Sequence, residues 1–207
     1  MPSSLAVTNT FRSSQGSGGP SPVVFWLTGI SGAGKSTIAR SMARQFGCFG
    51  WRLCVLDGDD IRAKLNADLG FSDEHRAENV RRIAEVAALM ADAGLIVAVS
   101  CISPQASFRD VARRAIGDAR FIEVHIDTPL AVAEARDPKG LYGLARAGKI
   151  TGFTGVHAPY EEPCAPEVRI DTTRLTVDEA AAMIRDYYVA KHIVGSTVVP
   201  QAKTSQE

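Results

Sequence analysis

Val23-Val24-Phe25-Trp26-Leu27-Thr28-Gly29-Ile30-Ser31-Gly32-Ala33-Gly34-Lys35-Ser36 is the stretch whose reading decides the fold. Its first six residues are too continuously apolar for a strand with one wet face, and suit a strand buried on both faces. The next eight match the pattern GxxxxGK(S/T) in full. The glycines let the backbone turn its N–H groups inward around an anion. A helix beginning near Lys35 aims its positive end at the same point. Lys35 then reaches the β- and γ-phosphates of a nucleotide, and the Ser36 hydroxyl can ligate Mg²⁺. The plainer alternative, a glycine-rich turn with a stray lysine, is weakened because strand, loop and helix occur in the required order. Nucleotide binding is therefore expected, but the pattern does not separate kinases from GTPases, ATPases or regulatory modules.

Outward from this stretch, short apolar runs alternate with helical patterns, the sign of βαβ units and a parallel sheet. The further strand candidates are Leu53–Leu56, Leu95–Val99, Phe121–Ile126 and the short Val168–Ile170. The clearest helix is predicted from Ser72 to about Ala93. Ser72 caps it, Asp73 and Glu74 complement its dipole, and Gly94 ends it. Ile83, Val86, Ala87 and Met90 recur at helical spacing and should face the core. A last helix is predicted from about Val177 to His192. The expectation is an α/β fold, a five-stranded parallel sheet in a three-layer α/β/α sandwich.

In an open parallel sheet, ligands bind beyond the carboxyl ends of the strands. Asp57-Gly58-Asp59-Asp60-Ile61-Arg62 follows the second strand, so these carboxylates would face bound phosphates. A carboxylate there can take a proton from an attacking hydroxyl or hold water on Mg²⁺. Arg62 can grip an anionic substrate bidentately. Asp60 is equally readable as a helix-start cap. Arg76 and Asn79, three apart on the helix after Ser72, share a face. With Phe71 before the cap, they read on spacing alone as surface residues and a hydrophobic staple.

Composition narrows the class. The 207 residues suit one domain with ragged ends, with 45% apolar and 22% charged residues. Lys plus Arg and Asp plus Glu are both 23, so nucleic acid is not a favoured partner. Cys48, Cys54, Cys101 and Cys164 lack CxxC spacing, which argues against a zinc site or a disulfide framework. Cys54 and Cys101 sit in apolar runs and read as buried thiols. No run of eighteen apolar residues or signal-peptide core is present, so no membrane span is expected and the cytoplasm is the default compartment. Residues 1–21 read as a disordered tail, 22–194 as the folded domain and 195–207 as a second tail.

Taken together, these residues resemble the adenylyl-sulfate kinase (APS kinase) family. The likeness rests on Gly29–Thr37, Leu56-Asp57-Gly58-Asp59, Leu69-Gly70-Phe71-Ser72, Arg76–Arg82, Ala91–Val97 and Ile102-Ser103-Pro104. It is most specific in Asp137-Pro138-Lys139-Gly140-Leu141-Tyr142 and Gly152-Phe153-Thr154-Gly155. The resemblance implies a P-loop kinase that transfers the ATP γ-phosphoryl to the 3′-hydroxyl of adenylyl sulfate, giving 3′-phosphoadenylyl sulfate and ADP in sulfate assimilation. It implies that Gly29, Ser31, Gly32, Ala33, Gly34, Lys35, Ser36 and Thr37 hold ATP, with Ser36 on Mg²⁺. Asp59, Arg62, Phe71, Arg76, Asn79, Ile102, Ser103, Lys139, Leu141 and Phe153 would form the acceptor pocket. Phe71 and Phe153 would sandwich the adenine. Lys35, Asp59, Ser103 and Lys139 would be catalytic, Ser103 matching a serine that some members phosphorylate. A homodimer is implied as well.

The segment Asp137 to Tyr160 supports this reading by its own composition. Five glycines, two prolines and the cations Lys139, Arg146 and Lys149 suit a mobile lid that closes over phosphates and excludes water. Three departures from the family pattern stand out: Asp60 where Asn is usual, Gln105-Ala106-Ser107-Phe108 in place of a more basic stretch, and His157-Ala158 before Pro159-Tyr160-Glu161. Two other readings stay open. One is a same-fold kinase for another nucleotide or metabolite; the other is a non-catalytic nucleotide-binding module docked on an ATP sulfurylase.

Overall fold

A computed structural model describes residues 20–193. The two expected tails fall almost wholly outside the described residues. Five strands, β1 (Val24–Thr28), β2 (Leu53–Asp57), β3 (Ile96–Ser100), β4 (Phe121–Asp127) and β5 (Val168–Asp171), form one sheet. All pairs are parallel, in the order β2-β3-β1-β4-β5. The central strand is β1, every residue of which is buried, so its continuous apolar run is explained by cover on both faces.

Alternate side chains of β1 feed two cores. Phe25 and Leu27 pack with Ile38, Met42 and Phe46 of α1 (Lys35–Cys48) and with Ala181, Ile184 and Tyr188 of α7 (Val177–Tyr188). Val24 and Trp26 face Val80, Ile83, Ala84 and Ala87 of α3 (Asp73–Asp92) and Phe108 and Ala112 of α4 (Ala106–Ile116). This is the expected three-layer sandwich. Strand β2 lies at the sheet edge and its first four residues are only half-buried. Cys54 is therefore half-buried, unlike the buried Cys101.

Local signals set the helix ends. Ser72 accepts the His75 N–H at 3.3 Å and Asp73 and Glu74 occupy the first turn of α3. Gly94, at φ +87°, lets the chain turn out of the helix in the left-handed region. Thr176 and Glu179 form a reciprocal capping box at the start of α7. Two expectations need correction. The final α-helix stops at Tyr188, and Val189–Ile193 form a π-helical turn. The segment 137–160 is not all loop: Leu141–Arg146 form α6, with Gly140 at its N-cap and the Asp137 carboxylate accepting the Tyr142 and Gly143 N–H groups. Short helices α2 (Gly58–Ala63) and α5 (Leu130–Arg136) complete the described elements.

Candidate active site

The loop after β1 is shaped by backbone crowding. Gly29, Gly32 and Gly34 all have positive φ. A Cβ on Gly29 would stand 2.6 Å from the Ile126 carbonyl oxygen, and one on Gly32 2.8 Å from that of Ala133. Only glycine lets the loop sit this close to β4 and α5. No side chain caps α1, so its first N–H groups remain available to an anion. Lys35 curls back into this hollow. Its ammonium donates to the carbonyls of Gly29 at 2.7 Å and Ile30 at 2.8 Å. Burial lowers its pKa to about 8. A phosphate entering the loop can take over these donors.

Ser36, the expected Mg²⁺ ligand, has its hydroxyl 3.0 Å from that of Ser100 at the carboxyl end of β3. Ser100 was not singled out in the sequence; a lone hydroxyl ending the apolar run Ile96–Val99 was its only signal. Among the described residues no three His, Cys, Asp or Glu side chains gather into a metal cluster. A hydroxyl pair beside a phosphate cradle, with no carboxylate cage, fits a Mg²⁺ ion that keeps its waters and arrives on a nucleotide.

At the end of β2 the three carboxylates divide their roles. Asp57 is buried and caps α2, accepting the Asp59 N–H at 3.0 Å, with Arg40 3.8 Å away. Asp57, and not Asp60, is the cap. Asp60 is exposed. Asp59 is exposed and accepts a hydrogen bond from the Lys139 ammonium, bringing the segment 137–160 down onto α2.

The same segment is anchored elsewhere. Tyr142 donates its hydroxyl to the Ser31 carbonyl at 2.9 Å. Arg76 on α3 donates to the Phe71 carbonyl at 2.9 Å, the Thr154 hydroxyl at 2.9 Å and the Gly152 carbonyl at 2.6 Å. Phe153 meets Tyr142 edge-on at 5.0 Å. Phe71 is 68% exposed, and the Arg62 guanidinium lies 4.7 Å over its ring while donating to the Gly70 carbonyl at 2.9 Å. No ring contact among the described residues joins Phe71 to Phe153. Leu141 opens α6, half-buried.

Asn79 is buried and accepts from Asn66 at 3.0 Å. Ser103 differs from the expectation of an accessible catalytic hydroxyl. It is wholly buried at φ +39°, accepts from the Trp26 indole at 3.0 Å and donates to Thr28 at 3.1 Å. Arg109 clamps its carbonyl at 2.8 Å and pairs with Glu123 at 2.8 Å. Thr28 in turn donates to the Ile102 carbonyl at 2.7 Å and lies 2.9 Å from the Tyr160 hydroxyl. As folded, Ser103 shapes the bend after β3 and does not present its oxygen to a ligand. Trp26, Thr28 and Arg109 were missed as site-shaping residues because their roles depend on partners 74 or more residues away or, for Arg109, across a chain turn.

The family description "Adenylylsulphate kinase" matches residues 21–171, well over half the chain. The chain belongs to this family. An adenylyl-sulfate kinase of Shewanella amazonensis is 48% identical over 185 residues, covering 89% of this chain and 92% of that protein. The structure of the Mycobacterium tuberculosis APS kinase CysC in complex with AMPPNP and APS aligns with a TM-score of 0.79 at 48% identity, covering 81% of this chain and 98% of that one. The bifunctional enzyme CysN/CysC of Xylella fastidiosa is 51% identical over 166 residues, covering 80% of this chain and 27% of that longer protein. Membership in the adenylyl-sulfate kinase family accounts for the coincidence of a phosphate loop with the residue blocks 137–142 and 152–155 around one cleft.

Proposed function

We propose that this protein transfers the γ-phosphoryl group of ATP to the 3′-hydroxyl of adenylyl sulfate, giving 3′-phosphoadenylyl sulfate and ADP. The observation that carries the reading is the double anchoring of segment 137–160. Tyr142 ties it to Ser31 in the phosphate loop, and Lys139 ties it to Asp59 beyond β2. Donor and acceptor halves of the cleft thus share one lid, which fits a transfer that must exclude water.

In this reading the amides of Gly29 to Thr37 wrap the triphosphate, and Lys35 exchanges its carbonyl partners for β- and γ-oxygens. When bound, Mg²⁺ neutralises charge on those oxygens, with Ser36 as its protein ligand. Asp59 accepts the proton of the 3′-hydroxyl as that oxygen bonds to the γ-phosphorus and the bond to the β–γ bridging oxygen breaks. Lys139, released from Asp59, then faces the phosphoryl oxygens. Arg62 and Arg76 meet the phosphate–sulfate group, Asn79 holds the acceptor, and the adenine lies between Phe71 and Phe153. Ile102 and Leu141 complete the walls. Most of the rate enhancement is positioning and electrostatics.

The folded unit is assigned to residues 22–194. A homodimer in a cytoplasmic setting completes the proposal; no helix among the described residues is long and apolar enough to cross a membrane. Association with an ATP sulfurylase finds support in the bifunctional relative, of which the matching part is about a quarter.

An ADP-coupled assay tests the reaction. Turnover is expected with adenylyl sulfate and not with nucleoside monophosphates or small hydroxy metabolites. Asp59→Asn should lower kcat by about 10²–10⁴-fold, the usual worth of a general base. Unchanged turnover would remove Asp59 from that role, and absence of ADP with adenylyl sulfate present would sink the reading as a whole.

A further inference from the structure

Gly70 and Phe71 belong to the stretch that leads into α3, and the Phe71 ring stands out from it into solvent. Among the described residues its one ring contact is the Arg62 guanidinium over its face. A side chain so little packed is placed by its backbone. Three side chains hold that backbone. Arg62 donates to the Gly70 carbonyl and Arg76 to the Phe71 carbonyl, both at 2.9 Å. His75, on the first turn of α3, supplies the third tie: its Nδ1 accepts the Gly70 N–H at 2.9 Å. A Cβ added at Gly70 would stand 3.1 Å from that same nitrogen. Gly70 is not one of the positive-φ glycines. What its missing side chain provides is room for the imidazole.

The sense of this bond has one solution. A backbone N–H only donates, so Nδ1 carries the lone pair and the ring proton sits on Nε2. Turning the ring over would set a carbon against the N–H and lose the bond. The imidazole makes no other hydrogen bond to a described residue. Nor is it the cap of α3, because the Ser72 hydroxyl fills that role by accepting the His75 main-chain N–H. In the proposed reaction Arg62 and Arg76 also serve the phosphate–sulfate anion. His75 is the tie on Gly70 and Phe71 that has no second task.

We propose that His75 is a positioning residue for the acceptor substrate: by accepting the Gly70 N–H it holds the backbone that presents the Phe71 ring to the adenine of adenylyl sulfate. The inference rests on the adenylyl-sulfate reading of the cleft, and wild-type activity on that substrate tests the reading separately.

Three variants at this position separate the acceptor atom from the ring that carries it. His75→Phe keeps a ring and loses the acceptor, His75→Ala loses both, and His75→Asn puts an acceptor oxygen back near the place of Nδ1. In steady-state kinetics the KM for adenylyl sulfate should rise about three- to tenfold in the Phe and Ala variants, the scale of one hydrogen bond, with the KM for ATP within about twofold. His75→Asn should bring the acceptor KM back to within about twofold of wild type. A merely structural role predicts that both KM values move together or that Asn does not rescue; either result, or an acceptor KM unmoved in Phe and Ala, overturns the proposal. A second measurement needs no substrate. By NMR, the Gly70 amide of the ligand-free protein should exchange its proton about threefold or more slower in wild type and His75→Asn than in the other two variants. Equal exchange in all four proteins refutes the tie itself. If wild type makes no ADP from adenylyl sulfate, the function falls and this assignment with it. If it does and the KM pattern fails, the assignment alone falls.

Discussion

Lys35 shows how one buried charge reports on the loop around it. Desolvation holds its pKa near 8, against 10.5 for a free lysine. In the nucleotide-free protein the folded state therefore releases this proton before the unfolded state does. Between pH 8 and 10.5 the unfolded chain binds more protons, so stability from this group should rise with pH across that window. At about 1.4 kcal/mol per pH unit the difference amounts to roughly 3 kcal/mol. Denaturant unfolding at pH 8 and pH 10 should show about 2 kcal/mol of that increment in wild type and lose it in Lys35→Met. Equal pH responses of the two proteins would mean that the ammonium is not desolvated as the structure places it. Asp59 contrasts with Lys35: it is exposed, and its carboxylate is met by the Lys139 ammonium.

Among the elements, α3 would link fold stability to substrate recognition if the proposed acceptor pocket is right. Its amino end is fastened by Ser72, and its first turns carry Arg76 and Asn79. Ser72→Ala should cost about 1 kcal/mol, the usual worth of such a cap. Fraying would loosen the frame that aims Arg76 at Gly152 and Thr154, so the KM for adenylyl sulfate should climb a few-fold while that for ATP stays put. Calorimetry and initial-rate kinetics on the one variant measure both effects. The cap was legible from the sequence because it is a contact between neighbours: a Ser, two acids and an apolar periodicity suffice. The Arg76 contacts were not, since Gly152 and Thr154 lie 76 and 78 residues away.

At the scale of the whole molecule, long-range ties from Ser31, Thr28, Asp59 and Arg76 hold the segment 137–160. Two of these groups are ones that bound substrates should recruit, so closure and ligand binding are coupled. Deuterium uptake across 137–160 should fall when a non-hydrolysable ATP analogue and adenylyl sulfate are added together, and fall less with either alone. Tyr142→Phe, which removes the tie to Ser31, should raise uptake in the ligand-free protein. Uptake indifferent to both ligands would contradict the lid.

Sequence by itself determined the parallel α/β architecture, the phosphate loop and the capped helix α3, because each rests on residues adjacent in the chain or repeating at a fixed period. The blocks at 137–142 and 152–155 carried the family in the same local way. Only the tertiary structure decided that Asp57 caps α2 while Asp59 meets Lys139, that Ser103 is buried beneath Trp26 and Thr28, and that Asn66 engages Asn79. Those outcomes depend on which side chains packing brings within about 3 Å of one another, a distance that spacing along the chain does not encode.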